Sequence, residues 1–174
     1  MSGCIQFLTE SSERSWITLH TETGPILIGV WYRPPDEDRN ELQSLAREIE
    51  LFSVGHIATM VCCDANVHHA RWLKYSDSNT SLGQDLQDFC DSAGLTQIVK
   101  EPTRKNNLLD LVMTSAPEIT KATVRSSISD HRAVLIDIKL EAPESIEVER
   151  EVWCSNKANW KGLKKRFRRK VGIS

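Results

Sequence analysis

Nowhere in these 174 residues does an apolar run reach the roughly 20 residues that a helical membrane span needs. The first ten residues also lack the basic start and apolar stretch of a secretory signal. An intracellular protein is therefore the expectation. The five cysteines (Cys4, Cys62, Cys63, Cys90 and Cys154) are odd in number and nowhere spaced Cys-x-x-Cys. That argues against a disulfide framework and a zinc knuckle, and suits small buried apolar roles better. Basic excess is missing too: residues 1–150 carry 14 Lys/Arg against 23 Asp/Glu. Polyanion-binding proteins usually spread positive charge over the working face. Any such footprint here lies mainly in residues 151–174, where Lys157, Lys161, Lys164, Lys165, Arg166, Arg168, Arg169 and Lys170 meet a single acid, Glu151. A run of this kind is equally a solvated helix end or a localisation address, nuclear included.

What is present suffices for one core. At 40% hydrophobic content the length favours a single domain. Residues 15–20 alternate as a half-buried strand, Thr23-Gly24-Pro25 turns, and residues 26–32 form a β-rich run, which together read as a hairpin. Arg33-Pro34-Pro35 ends it, and Asp36 or Asp38 can cap a helix carrying Leu42, Leu45, Ile49 and Phe52 at helical spacing. Residues 57–62 follow as a buried strand. Leu82, Leu86, Phe89 and Cys90 mark a second helix, closed by Gly94. Short strands are expected at 96–99, 108–114, 122–125 and 133–140, too close for helical crossovers. The expectation is an α/β (α+β) layered fold with much antiparallel pairing. Residues 142–152 read as an acidic linker. A short basic helix over 159–169 would carry Trp160, Leu163 and Phe167 as a docking stripe.

Three places set acids or histidine at the end of an apolar strand, where open α/β sheets locate chemistry. They are Cys63-Asp64-Ala65-Asn66-Val67-His68-His69, Leu109-Asp110-Leu111 and Ser129-Asp130-His131. Each has a plain structural alternative. Asp64 and Asn66 suit a turn, Asp110 could satisfy backbone donors, and Asp130-His131 could simply begin a strand. Asp110, within an apolar strand, asks for a partner because an unpaired buried carboxylate is costly. His68 and His69 read as surface loop residues rather than metal ligands.

In combination and in this order, the motifs resemble those of the endonuclease/exonuclease/phosphatase superfamily, in its branch of apurinic-endonuclease-like domains of non-LTR retrotransposons. Asp64-x-Asn66-x-His68-x-x-x-Trp72 is similar to that branch's Gly-Asp-Phe-Asn-Ala-His...Trp element, and Val30-Trp31-Tyr32-Arg33-Pro34-Pro35 to its Tyr-Arg-Pro-Pro element. Pro102-Thr103, residues 109–114 and Ser129-Asp130-His131 match the remaining motifs. The resemblance covers about residues 16–140, and residues 153–160 resemble the connector leading to a reverse transcriptase.

The resemblance implies a two-sheet β-sandwich flanked by helices, the DNase I-like fold, in residues 1–141, followed by a linker and basic tail in 142–174. It implies phosphodiester hydrolysis by an activated water with Mg²⁺ or Mn²⁺, hard cations that need few carboxylates. Asp130 would reach the metal, Asp64 would position or deprotonate the water, and Asn66 would orient it. Asp110 would hold His131 in one tautomer against the scissile phosphate, and Tyr32 would offer its hydroxyl there. DNA is the implied partner, alongside a reverse transcriptase domain. Two departures stand out. The pattern has further strands upstream, ending in Asn and a metal-binding Glu, for which there is no room here, so this reads as the C-terminal portion of the domain. Glu10 is the nearest substitute acid, with a solvated loop as its plainer role. Missing strands would impair activity and leave a sheet edge open to self-association. A non-catalytic remnant binding nucleic acid or a partner, and a phosphatase for small phosphoesters, are the alternative functions.

Overall fold

The computed structural model describes residues 4–8, 13–35, 40–76, 78–140 and 159–162. The chain divides into two compact units, Met1–Glu144 and Ser145–Ser174. In the first, the order is β1 (Cys4–Leu8), β2 (Arg14–Thr21), β3 (Gly24–Tyr32), α1 (Asn40–Phe52), β4 (Ala58–Asp64), α2 (Ser81–Ser92), β5 (Thr96–Gln97), β6 (Asp110–Thr114), β7 (Thr120–Ser127) and β8 (Arg132–Ile138). Six strands form one sheet in the order β1-β2-β3-β4-β6-β5, and β7 and β8 form a second. Every pair is antiparallel except β3 with β4, which α1 connects as a crossover. In the second unit, the backbone N–H of Gly162 donates to Asn159 Oδ1 at 2.8 Å, capping the helical turn of residues 160–162. Leu163 and Phe167, the acidic linker, Glu10, Asp36, Asp38 and Cys154 lie outside the described residues.

Strand alternation sorts the large sheet's side chains between two faces. One face packs Trp16, Leu27, Trp31, Val61, Leu111 and Met113 with Leu42, Leu45 and Ile49 of α1 and Leu86 and Cys90 of α2 in a single buried cluster. Gly29 allows this packing: it pairs with Trp16 across β2–β3, and a Cβ there would sit 2.4 Å from the indole ring. The opposite face receives the small sheet, whose Ala122, Val124, Val134, Ile136 and Ile138 pack on the core half-buried. That cover is partial. Val30 remains 56% exposed and Tyr32 42%, and a cleft of about 510 Å³ opens between the end of β3–β4–β6 and β8.

The helices end as their residues dictate. Thr80 caps α2 by accepting the N–H of Gly83 at 3.1 Å. Gly94, at φ +65°, follows its C-cap and lets Leu95 N–H reach the carbonyl of Cys90 at 2.8 Å. Two strand expectations need correction. β6 begins at Asp110 instead of residue 108: the N–H of Leu108 goes to Tyr75 O, and pairing with β4 starts at Asp64–Asp110. β5 is only Thr96–Gln97; just beyond it the Gln97 side chain takes the backbone N–H and carbonyl of Val99.

The sequence gives no hint of a buried ion pair that fastens α1 to the sheet. Arg14 is buried and donates to Glu41 Oε2 at 2.7 Å and to both carboxylate oxygens of Glu48 at 3.0 and 3.1 Å. Glu48 also accepts the indole N–H of Trp16 at 2.7 Å. Removing one partner leaves the others desolvated and uncompensated. Arg14→Ala is expected to lose about 3 kcal/mol, less than a fully buried network would because both glutamates keep some exposure, read from urea unfolding. Arg14→Lys should recover only part of it, since an ammonium cannot reproduce the two-pronged contact.

Candidate active site

Strand register builds the site. Tyr32, Asp64 and Asp110 are the last residue of β3, the last of β4 and the first of β6, and Asp64 pairs directly with both Tyr32 and Asp110. They form a row at one end of the large sheet, on the face that carries the cleft, and all three line it. From the connection between β7 and β8, His131 brings Nδ1 to 2.9 Å from Asp110 Oδ2. Asp64, Asp110 and His131 each offer a ligand atom within 4.8 Å of the others, the group among the described residues best suited to a metal ion.

The electrostatics follow from that crowding. Burial first, and then the neighbouring charge of Asp110, push the Asp64 carboxyl above the usual carboxylate range; His131, the N–H of Asn66 and Arg104 act against the shift. Asp64 Oδ1 is buried and makes no hydrogen bond among the described residues. A desolvated oxygen of this kind, beside a second carboxylate and an imidazole, suits a hard divalent cation or the proton of a bound water. The donor set fits the expected metal.

Asn66 adopts φ +47°, a left-handed conformation that Asn tolerates better than most residues, and this aims its N–H at Asp64. Its side-chain amide donates to Arg33 O at 2.9 Å, and Arg33 N–H donates to Asp64 O at 3.0 Å. Asp130 stands apart from the group. It is well exposed and pairs with Arg104 at 2.8 Å, while Ser129 Oγ donates to its Oδ1 at 3.2 Å. The structure therefore sets Tyr32, Asp64 and Asp110 on one cleft, with His131 against Asp110 and the N–H of Asn66 against Asp64, and turns Asp130 toward Arg104.

The expectation of a surface loop at the two histidines needs correction for His69, which is only 6% exposed. Its Nδ1 accepts the N–H of Trp72 at 3.0 Å, so Nε2 carries the proton and donates to Gln84 Oε1 at 3.0 Å. His69 thereby ties the signature loop to α2. His68 is half-buried, with Nδ1 3.2 Å from Ser76 Oγ. Burial pushes the Cys62 thiol up to about 11, that of Cys90 up to about 12, and that of Cys63 well above its ordinary value. These three cysteines stay protonated and unreactive at neutral pH. Sequence reasoning gave no role to Thr103 and missed Arg104; a loop motif directly ahead of Asp110 was the available signal.

Two stacked sheets with acids and a histidine converging at the strand ends are the architecture of the endonuclease/exonuclease/phosphatase superfamily. Residues 26–135 match the sequence model of the endonuclease-reverse transcriptase family, and the chain belongs to that family. Among solved structures it is similar to the endonuclease domain of TRAS1, a telomere-specific non-LTR retrotransposon, with TM-score 0.69 and 18% identity over 80% of this chain and 69% of that one. An endonuclease/exonuclease/phosphatase family protein from Bacteroides thetaiotaomicron superposes with TM-score 0.50 at 11% identity, over 72% of this chain and 53% of its own length. The mannosyl-6-phosphatase Bt3783 of the same organism gives 0.49 at 11% identity, over 73% and 57%. At these identities the likeness is one of fold. No curated protein matches significantly.

The raised carboxyl of Asp64 has a consequence for stability. A carboxyl whose folded value exceeds its unfolded one contributes stability that is fully present below the unfolded value, near 3.8, and lost as pH rises through the folded one. At neutral pH its charge works against the fold. Asp64→Asn is therefore expected to melt higher than wild type at pH 7, with the gain shrinking as the pH approaches 3.8. An equal or lower melting temperature at pH 7 would contradict the assigned burial and repulsion.

Proposed function

We propose that this chain carries out metal-dependent phosphodiester hydrolysis, nicking DNA as a retrotransposon endonuclease does. The observation that carries the reading is the convergence of Asp64, Asp110 and His131 within 4.8 Å at the mouth of an open cleft. His131, held through Nδ1 by Asp110, keeps Nε2 for the scissile phosphate. Asp64, with one oxygen unbonded, takes the attacking water and its proton, and its raised affinity for a proton favours that role. Asn66 orients the same water from the loop it stiffens. Tyr32, exposed on the cleft floor, offers its hydroxyl to the phosphate. A bound Mg²⁺ or Mn²⁺ would neutralise the charge that develops on the phosphate oxygens. Asp130 would reach it on giving up the contact with Arg104 that it makes here.

DNA is the proposed partner, with the basic residues of 157–170 supplying phosphate contacts. The family's pairing of endonuclease with reverse transcriptase supports a reverse transcriptase as the neighbouring activity. Self-association is proposed through β8, whose second edge meets no strand among the described residues. An intracellular, nuclear location agrees with a DNA substrate.

Supercoiled plasmid is the direct assay. With Mg²⁺ or Mn²⁺ the purified chain should convert it to nicked circles, EDTA should abolish this, and Asp64→Ala or His131→Ala should each cost about 10²–10⁴-fold in rate. Variants within a few-fold of wild type would remove these residues from the mechanism. If a folded protein binds plasmid but does not nick it, the binding-remnant reading holds; hydrolysis of small phosphoesters alone would favour the phosphatase reading.

A further inference from the structure

The sequence match at Pro102-Thr103 carries no assigned role, yet in the fold Thr103 touches both halves of the site. Its side chain is fully buried, at 0% exposure. Thr103 Oγ1 accepts the backbone N–H of Leu109 at 3.1 Å and that of Asp110 at 3.0 Å. Its carbonyl accepts the N–H of Arg132, the residue after His131, at 2.7 Å. Its own N–H donates to Asn107 O at 2.9 Å, closing the tight turn in which Lys105 takes φ +51°. One residue thus bonds the peptide of Asp110 on the large sheet and the peptide next to His131 on the small sheet. These two sheets share no ladder among the described strands.

We propose that Thr103 is a positioning residue that sets the Asp110–His131 separation, holding the imidazole by its neighbours' backbone and not by touching substrate. The physical reason lies in the bond it protects. The 2.9 Å contact between Asp110 and His131 bridges two sheets that could slide independently, and a slip of about 1 Å at such a pair is enough to cost on the order of 100-fold in rate. The threonine hydroxyl has two lone pairs, and both are engaged by consecutive N–H groups at the start of β6. Asp110 therefore cannot shift along the strand without breaking them. Next door, Arg104 holds the exposed carboxylate of Asp130, so the same turn steadies both sides of His131.

The test compares Thr103→Val, which keeps the shape and removes the acceptor, with Thr103→Ser, which keeps the acceptor. The first readout is the Nδ1–H proton of His131 by NMR, sharpened and moved downfield when Asp110 holds it. Thr103→Val should broaden or lose that signal and Thr103→Ser should retain it, whether or not the protein nicks DNA. The second readout rests on the proposed function: kcat should fall 10–100-fold in Thr103→Val with KM within about threefold, and recover to within a few-fold in Thr103→Ser. Should Thr103→Val fail to fold, amide exchange in the wild-type protein decides, since the N–H of Asp110 is expected to be as well protected as the ladder N–H groups of β6 and that of Arg132 as those of β8. A retained His131 signal in Thr103→Val, a serine variant as damaged as the valine one, or fast exchange at either amide would each overturn the proposal. Absence of nicking in every protein, with the NMR pattern intact, would refute the nuclease reading and leave the positioning role standing.

Discussion

Asp64 and Asp110 lie opposite each other at the ends of adjacent antiparallel strands, an arrangement that like charges resist. Most of what surrounds them reads as the means of sustaining that repulsion. The N–H of Asn66, the imidazole of His131 and the guanidinium of Arg104 all favour the charged form of Asp64, and the β3–β4 parallel pairing fixes the strand end from the other side. Crowded carboxylates are poor for stability and good for holding cations and moving protons. Here the strain is concentrated at one sheet end while the opposite face carries the main core.

Much of this was legible in the residues. Periodicity located both helices and the strands that carry the site, because those elements bury one face and leave a clear pattern. Asp64, Asp110 and His131 stood out since polar groups at the ends of apolar strands need a reason. Contacts that depend on where a loop returns in space were not legible. Arg14 bonds glutamates 27 and 34 positions away, and nothing local distinguishes it from a solvated arginine. The fold class and family agree with the sequence reading, whereas Asp110 opens its strand and His69 lies buried against α2, details set by side-chain bonds to neighbouring segments.

Division of labour between the two faces of the large sheet explains how one chain combines a firm scaffold with an open cleft. Two helices, two tryptophans and the Arg14 network seal one side. The other is covered by two strands alone, leaving Val30 and Tyr32 partly in solvent. Among the described residues, the acids lie on the lightly covered side.

The small sheet brings a different kind of consequence. A two-stranded ribbon has little independent stability and depends on what it packs against. Proteins open first where buried contacts are fewest. Lifting β7 and β8 would carry His131 away from Asp110 while leaving the helical face folded. Parting of the Asp110–His131 pair and global unfolding would thus be separable equilibria: a population with normal secondary structure could contain members in which the pair is parted, and ligands gripping both sheets would draw them back together.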